Sequence, residues 1–136
     1  MADSSIHVVL PGGSRVDAAF KGFTIKTDQP AYAGGENTAP SPFDLFLASL
    51  ATCAGFYVLA FCQERTIPTA GITLTMTMER PPKARLLSRI EIVIHLPADF
   101  PAKYKTAVVK AAEQCTVKAT IAEPPEMVLR AEIAAG

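Results

Sequence analysis

The segment SPFDLFLASLATCAGFYVLAFCQER, residues 41–65, combines a helix-start signal with a long apolar run. Ser41 can cap a helix, Pro42 suits its first turn, and Asp44 can reach back to the Ser41 N–H as a shortened capping box. The Ile67-Pro68 pair ends the pattern, because a residue that precedes proline avoids the helical conformation. The sequence therefore predicts one long helix that begins at residue 42 and ends at about residue 65.

Residues 45–62 of this helix carry no charge, and this uncharged segment is long enough to raise the question of a membrane span. Ser49, Thr52 and Gly55 interrupt it and no basic cluster marks a cytoplasmic end, so we interpret it as a buried helix and expect no membrane partner. Because it is apolar nearly all round, it must be covered all round. A few strands can cover only one face, which predicts a homodimer with Cys53 near the subunit interface.

The rest of the chain alternates apolar and polar residues as strands do, with two shorter helices. We expect a loop over residues 29–41, a tight turn at Lys21-Gly22, and a single α+β domain over residues 1–136, because the helices cluster rather than alternate with strands. The expected strands are residues 6–10, 15–20, 23–28, 72–80, 86–96 and 128–133, and the expected short helices are residues 104–114 and 116–121.

Composition excludes several classes of partner and site. The 13 basic and 13 acidic residues balance and form no basic face, so we expect no nucleic-acid partner. The first residues lack the features of a signal peptide, and three cysteines without short paired spacing favour a reducing, cytoplasmic location. His7 and His95 are isolated on strands, and no phosphate-binding loop is apparent, so we expect no metal and no cofactor.

Two cysteines, Cys53 and Cys115, are the candidate reactive groups. Cys53 has small neighbours that leave room for a substrate, although a free cysteine in an apolar helix is often only a packing residue. Burial raises the pKa of a thiol, so reactivity would need a nearby cation or oriented dipole, and Arg15 is a candidate for the cation. Cys115 precedes a predicted helix whose N–H groups would favour its thiolate, or it is a half-buried cap residue. Cys62 faces the opposite side of the long helix from Cys53 and is expected in the core.

The chain resembles the OsmC/Ohr superfamily of peroxide-detoxifying proteins, in its OsmC-like branch. The residues that carry the resemblance are Gly34-Gly35-Glu36-Asn37-Thr38-Ala39-Pro40-Ser41-Pro42, Asp44-Leu45, Ala48-Ser49-Leu50-Ala51-Thr52-Cys53 and Cys115-Thr116-Val117. The resemblance implies an intertwined α+β homodimer with antiparallel sheets around a long buried central helix. It also implies a thiol-dependent peroxidase that protects against oxidative stress by reducing organic hydroperoxides and hydrogen peroxide.

Within that resemblance, Cys53 would be the peroxidatic thiolate, Cys115 the resolving thiol and Arg15 the activating cation. The substrate pocket would include Phe43, Asp44, Thr52 and Phe56. A dithiol would reduce the resulting disulfide, and lipoyl proteins serve in one branch of the family.

The chain departs from the best-characterised branches at Phe43, where they place a glutamate that orients the catalytic arginine. Asp44, one residue later, matches the OsmC-like branch. The departure leaves an alternative open, a non-catalytic dimeric protein with an apolar interface pocket that binds a ligand or senses redox state.

Overall fold

The computed structural model describes residues 5–135 and comprises two compact units, one that ends at Ser49 and one that begins at Leu50. The two units are built from antiparallel strands and helices, so the predicted α+β class is confirmed. The long helix α1, Pro42–Glu64, begins in the first unit and continues in the second.

The N-terminal unit contains a three-stranded antiparallel meander. Its strands are β1, His7–Gly12, β2, Arg15–Phe20, and β3, Phe23–Thr27, in that order across the sheet. Lys21 and Gly22 both have positive φ angles, of 50° and 81°, as a tight two-residue hairpin requires. The predicted turn is therefore confirmed.

The loop from residue 29 to residue 41 is folded around one buried carboxylate, that of Asp28, which is 1% exposed. One Asp28 oxygen accepts the Gln29 N–H at 2.7 Å, and the other accepts the N–H and the hydroxyl of Thr38 at 3.0 and 2.6 Å. Gly35 lies so close to this loop that an added Cβ would be 1.9 Å from the Gln29 carbonyl oxygen. The glycine-rich stretch is thus an ordered connection into α1.

The start of α1 confirms the predicted capping box. Ser41 N–H donates to the Asp44 carboxylate and Asp44 N–H donates to the Ser41 hydroxyl, each at 3.1 Å. Five residues of the helix are buried, and they form a single stripe: Leu50, Ala54, Val58, Phe61 and Cys62. By length and composition alone α1 could cross a membrane, a property that it shares with core helices of soluble proteins.

The C-terminal unit pairs a two-stranded ribbon with helices. The ribbon consists of β4, Thr73–Glu79, and β5, Arg89–His95. Their register places Leu74, Met76 and Met78 opposite Ile94, Ile92 and Ile90, so one face is apolar, as predicted. Two short helices follow, α2, Lys105–Ala112, after a 3₁₀ turn at Ala102–Tyr104, and α3, Thr116–Ala122.

The core of this unit lies between α1, α2 and the neighbouring loops. Its buried members are Val58, Phe61, Cys62, Ile67, Phe100 and Val108. Phe61 also stacks edge-on against Tyr104, with ring centroids 5.8 Å apart. This packing fixes the C-terminal half of α1.

The predicted strand at residues 128–133 is wrong for the single chain. Residues 124–135 have no regular secondary structure and are exposed. An alternating sequence becomes a strand only when another strand supplies its hydrogen bonds, and neither sheet in the described part of the chain includes this segment.

Candidate thiol site

The fold brings Cys53 and Cys115 together, although they are 62 positions apart in sequence. Cys53 lies on α1 and is half-buried, whereas Cys115 directly precedes α3 and is 2% exposed. The two side chains interact, with the Cys115 thiol acting as donor to the Cys53 sulfur. Neither cysteine is in a disulfide.

The first turn of α3 forms the polar surroundings of the pair. Cys115 is the residue that caps α3, and its sulfur accepts the Lys118 N–H at 3.4 Å. The backbone N–H groups of Val117 and Thr116 interact with the Cys53 sulfur. These N–H groups have no partner inside the helix, as is usual for a first turn, so they are available to an external acceptor.

The surroundings move the pKa values of the two thiols in opposite directions. The Val117 N–H is the largest influence on Cys53 and lowers its pKa, helped by the Cys115 thiol and the Thr116 N–H and opposed by burial. Burial is the largest influence on Cys115 and raises its pKa; the neighbouring Cys53 raises it further, against the Lys118 and Val117 N–H groups. Cys53 is therefore the thiol that ionises first.

This asymmetry decides between the two alternatives left open for Cys115. Cys115 is a buried cap residue of α3, and burial outweighs the helix start, so its own thiolate is not favoured. Because the cap residue is buried and its first-turn N–H groups also act on Cys53, the stabilised thiolate is that of Cys53.

Cys62 takes no part in this site. It is fully buried in the core cluster, and burial raises the pKa of its thiol, with Arg65 opposing weakly. The prediction that Cys62 is a core residue is confirmed.

An apolar cavity of about 360 Å³ lies beside Cys115. Most of its lining is aliphatic, from α1, β5, α2 and α3, and its charged members are Glu113 and Lys118. Among the lining residues are Leu50, Ala54, Ile90, Ile92, Val109 and Ile121. The cavity therefore has room for a hydrocarbon group next to Cys115.

Comparison with known proteins identifies the family. The model of the OsmC-like protein family matches residues 35–130, most of the chain. The chain belongs to the OsmC-like family. No curated protein matches it.

Solved structures share the fold of this OsmC-like protein. One, from Psychrobacter arcticus and described as an osmotic stress induced and detoxification response protein, is 25% identical, with a TM-score of 0.75 over 88% of this chain and 89% of the other. An OsmC-like protein from Mycoplasma pneumoniae is 16% identical, with a TM-score of 0.71 over 90% and 89%. An organic hydroperoxide resistance protein from Legionella pneumophila is 19% identical, with a TM-score of 0.59 over 89% and 90%.

The remaining residues that the sequence singled out occupy two places. Thr52 directly precedes Cys53 on α1, Phe56 follows Cys53 by three residues, and Phe56 is 58% exposed. Arg15, Phe43 and Asp44 belong to the N-terminal unit. Arg15 Nε donates to the Gly12 carbonyl at 3.4 Å, Phe43 stacks on Phe46 with centroids 5.6 Å apart, and Asp44 caps α1. Their roles toward Cys53 stay predictions.

Sequence reasoning missed Tyr57, which lies one helical turn after Cys53. Its hydroxyl shares a hydrogen bond of 2.9 Å with the hydroxyl of Thr116, the first residue of α3. The signal was present in the spacing, because residues four apart lie on one face of a helix.

Proposed function

We propose that this OsmC-like protein is a cysteine-dependent peroxidase that reduces hydroperoxides and contributes to protection against oxidative stress. The observation that carries the proposal is the thiol pair itself, in which Cys53 has a lowered pKa and lies beside a Cys115 whose pKa is raised. A thiolate is the nucleophile that peroxides oxidise, and an adjacent thiol can resolve the product. The hydroperoxide-resistance function of the Legionella structure with this fold is in keeping with the proposal.

The chemistry requires two steps. The Cys53 thiolate attacks the terminal oxygen of the hydroperoxide, the O–O bond breaks, and the alkoxide takes up a proton and leaves as an alcohol. Cys53 is then a sulfenic acid. The Cys115 sulfur attacks the Cys53 sulfur, a disulfide forms, and hydroxide leaves with the Cys115 proton as water.

A dithiol reductant must close the cycle. Its thiolate attacks the disulfide, a mixed disulfide forms, and its second thiol releases the reduced protein. The apolar cavity next to Cys115 favours a hydroperoxide with a hydrocarbon substituent over hydrogen peroxide, because burying a few methylene groups contributes about 0.8 kcal/mol each.

Exposed apolar side chains support a second part of the proposal, that the working form is a homodimer. They occur on α1, at Phe56, along β1, and in the C-terminal segment, where Leu129 is 93% exposed. Burying such surface between two copies is favourable in free energy, and a strand from one copy could pair with the segment of the other.

The direct test follows cumene hydroperoxide consumption with dithiothreitol as the reductant, in the wild type and in Cys53→Ser, Cys115→Ser and Cys62→Ala variants. We expect Cys53→Ser to be inactive, because only the thiolate accepts the oxygen atom, and Cys62→Ala to keep most of the activity, because that thiol is buried in the core. In a separate reaction without dithiothreitol, Cys115→Ser should react once with the hydroperoxide and accumulate a sulfenic acid, which dimedone would label. Wild-type activity no higher than that of Cys53→Ser would reject the proposal.

A further inference from the structure

The hydroxyl of Tyr57 lies on the same side of α1 as Cys53 and contacts the same turn of α3. Tyr57 follows Cys53 by four residues, which places the two side chains one above the other on one helix face. The Tyr57 hydroxyl is 2.9 Å from the Thr116 hydroxyl, and the Thr116 N–H interacts with the Cys53 sulfur. Thr116 is thus hydrogen-bonded to Tyr57 through its hydroxyl, while its N–H is one of the groups that lower the pKa of Cys53.

The short helix α3 needs such an attachment. It has seven residues and none of them is buried, so packing does little to fix its position. A helix of this length is marginal when it is not held by tertiary contacts. Tyr57, by contrast, belongs to a long helix with one stripe of five residues buried in the core. Tyr57 itself is half-buried, and its ring packs edge-on against Phe56 with centroids 5.5 Å apart.

We propose that Tyr57 is a positioning residue of the peroxidase site, which holds the first turn of α3 against the Cys53 sulfur through its hydrogen bond to Thr116. This role rests on the proposed function. The Tyr57 hydroxyl touches neither sulfur but controls the ionisation of the Cys53 thiol. Without the hydrogen bond the first turn of α3 shifts, and the N–H groups of Thr116 and Val117 stabilise the thiolate less.

Two properties of the site depend on this positioning. When the hydrogen bond between Tyr57 and Thr116 is lost, the fraction of Cys53 that is ionised at neutral pH falls, so the reactions of Cys53 with electrophiles and with peroxide slow down. The reduced form also loses stability relative to the disulfide, because a stabilised thiolate is what makes a disulfide oxidising. The reduction potential of the Cys53–Cys115 pair should therefore become more negative.

The test measures the pKa of Cys53 from the pH dependence of iodoacetamide alkylation, in a Cys62→Ala background and without peroxide. Tyr57→Phe removes only the hydroxyl and should raise this pKa by about half a unit, a threefold loss of thiolate in the range below the pKa. The matched control is Tyr32→Phe, which removes a hydroxyl from a side chain that is 94% exposed in the N-terminal unit. It should leave the pH profile unchanged.

Variants of the partner residue separate positioning from general destabilisation. Thr116→Val should reproduce the pKa shift of Tyr57→Phe, the double variant should show no further shift, and Thr116→Ser, which keeps the hydroxyl, should retain the wild-type pKa. A parallel redox titration should give a potential more negative in Tyr57→Phe. An unchanged alkylation profile in Tyr57→Phe, or additive shifts in the double variant, would overturn the inference.

Failure of the role of Tyr57 can be distinguished from failure of the proposed peroxidase function. A pKa shift in a protein that does not consume peroxide would support the role of Tyr57 and reject the peroxidase. An active peroxidase in which Tyr57→Phe leaves the Cys53 pKa unchanged would do the opposite.

Discussion

At the scale of single residues, the two cysteines of the pair differ because their surroundings differ. Backbone N–H groups lower the pKa of Cys53, while burial and the neighbouring sulfur raise the pKa of Cys115. This order is the one that the proposed peroxidase requires, because the sulfur that attacks the peroxide must be a thiolate, and Cys53 is the thiol that ionises first. The first-turn N–H groups of α3 provide local stabilisation for which Arg15 was the candidate in the sequence.

The pH dependence of peroxide reduction follows from the lowered pKa of Cys53. The rate constant for Cys53 oxidation should rise with pH to a plateau, since only the thiolate reacts. The midpoint of the rise should lie below the usual pKa of a cysteine. Stopped-flow measurements with cumene hydroperoxide between pH 5 and pH 10 would give the midpoint. A midpoint at or above the usual value for a free cysteine would contradict the account of the site.

Arg15 offers a separate residue-scale test. Arg15→Ala should slow Cys53 oxidation and raise its pKa only if the guanidinium adds to the stabilisation that the N–H groups already provide. A control is Arg85→Ala, which removes an exposed guanidinium from the loop between β4 and β5. An unchanged pH–rate profile in Arg15→Ala would leave the backbone of α3 as the principal source of thiolate stabilisation.

At the scale of elements, the loop between β3 and α1 depends on Asp28. Hydrogen bonds from Thr38 and Gln29 lower the pKa of its carboxyl from 3.8 to about 2. A folded-state pKa below the unfolded value contributes stability that is fully present above about pH 4 and is lost as the pH falls through about 2. The loop that carries the family's glycine-rich signature is therefore held by an ionised carboxylate.

Substituting Asp28 should expose this dependence. Asp28→Asn should unfold at a lower urea concentration than the wild type at pH 7, and the difference should narrow between pH 4 and pH 2 as the wild-type carboxyl is protonated. Asp99→Asn, at an exposed position in the C-terminal unit, is the control. A difference that stays constant with pH would mean that the charge of Asp28 is not what stabilises the loop.

Gly35 and Gly55 differ in the space around an added Cβ, so their alanine variants should differ in stability. Gly35→Ala should cost at least about 2 kcal/mol of unfolding free energy, because its Cβ would lie 1.9 Å from a backbone oxygen. Gly55→Ala on α1 should be neutral or stabilise by up to about 1 kcal/mol, since its Cβ would meet Leu74 at an ordinary 3.8 Å and alanine favours the helix. Urea titrations measure both, and equal stabilities would contradict the close approach at Gly35.

At the scale of the whole molecule, the single chain leaves apolar surface exposed that a second copy could cover. Only one stripe of α1 is buried, and residues 124–135 are exposed and have no regular secondary structure. We therefore expect a dimer at micromolar concentration in sedimentation equilibrium. Leu129→Asp should weaken the dimer, whereas Leu86→Asp, exposed in a loop, should not. A monomer that unfolds cooperatively would contradict the homodimer.

Local signals in the sequence predicted most of the helices and strands and singled out Cys53 and Cys115, whose side chains the fold brings together. The capping box at Ser41 and the Lys21-Gly22 turn were predictable because the residues that form them are adjacent. The hydrogen bond between Tyr57 and Thr116 was not, because it joins residues 59 positions apart. The strand at residues 128–133 was predicted from alternation alone, which cannot say whether a pairing strand is present in the same chain.

Cys53 and Cys115 should form one redox pair. Peptide mapping of the protein after one equivalent of cumene hydroperoxide, with free thiols alkylated before digestion, tests this pairing. We expect a disulfide between the peptides that contain Cys53 and Cys115, with Cys62 alkylated as a free thiol. A disulfide that includes Cys62, or three free thiols after complete consumption of the peroxide, would contradict the account.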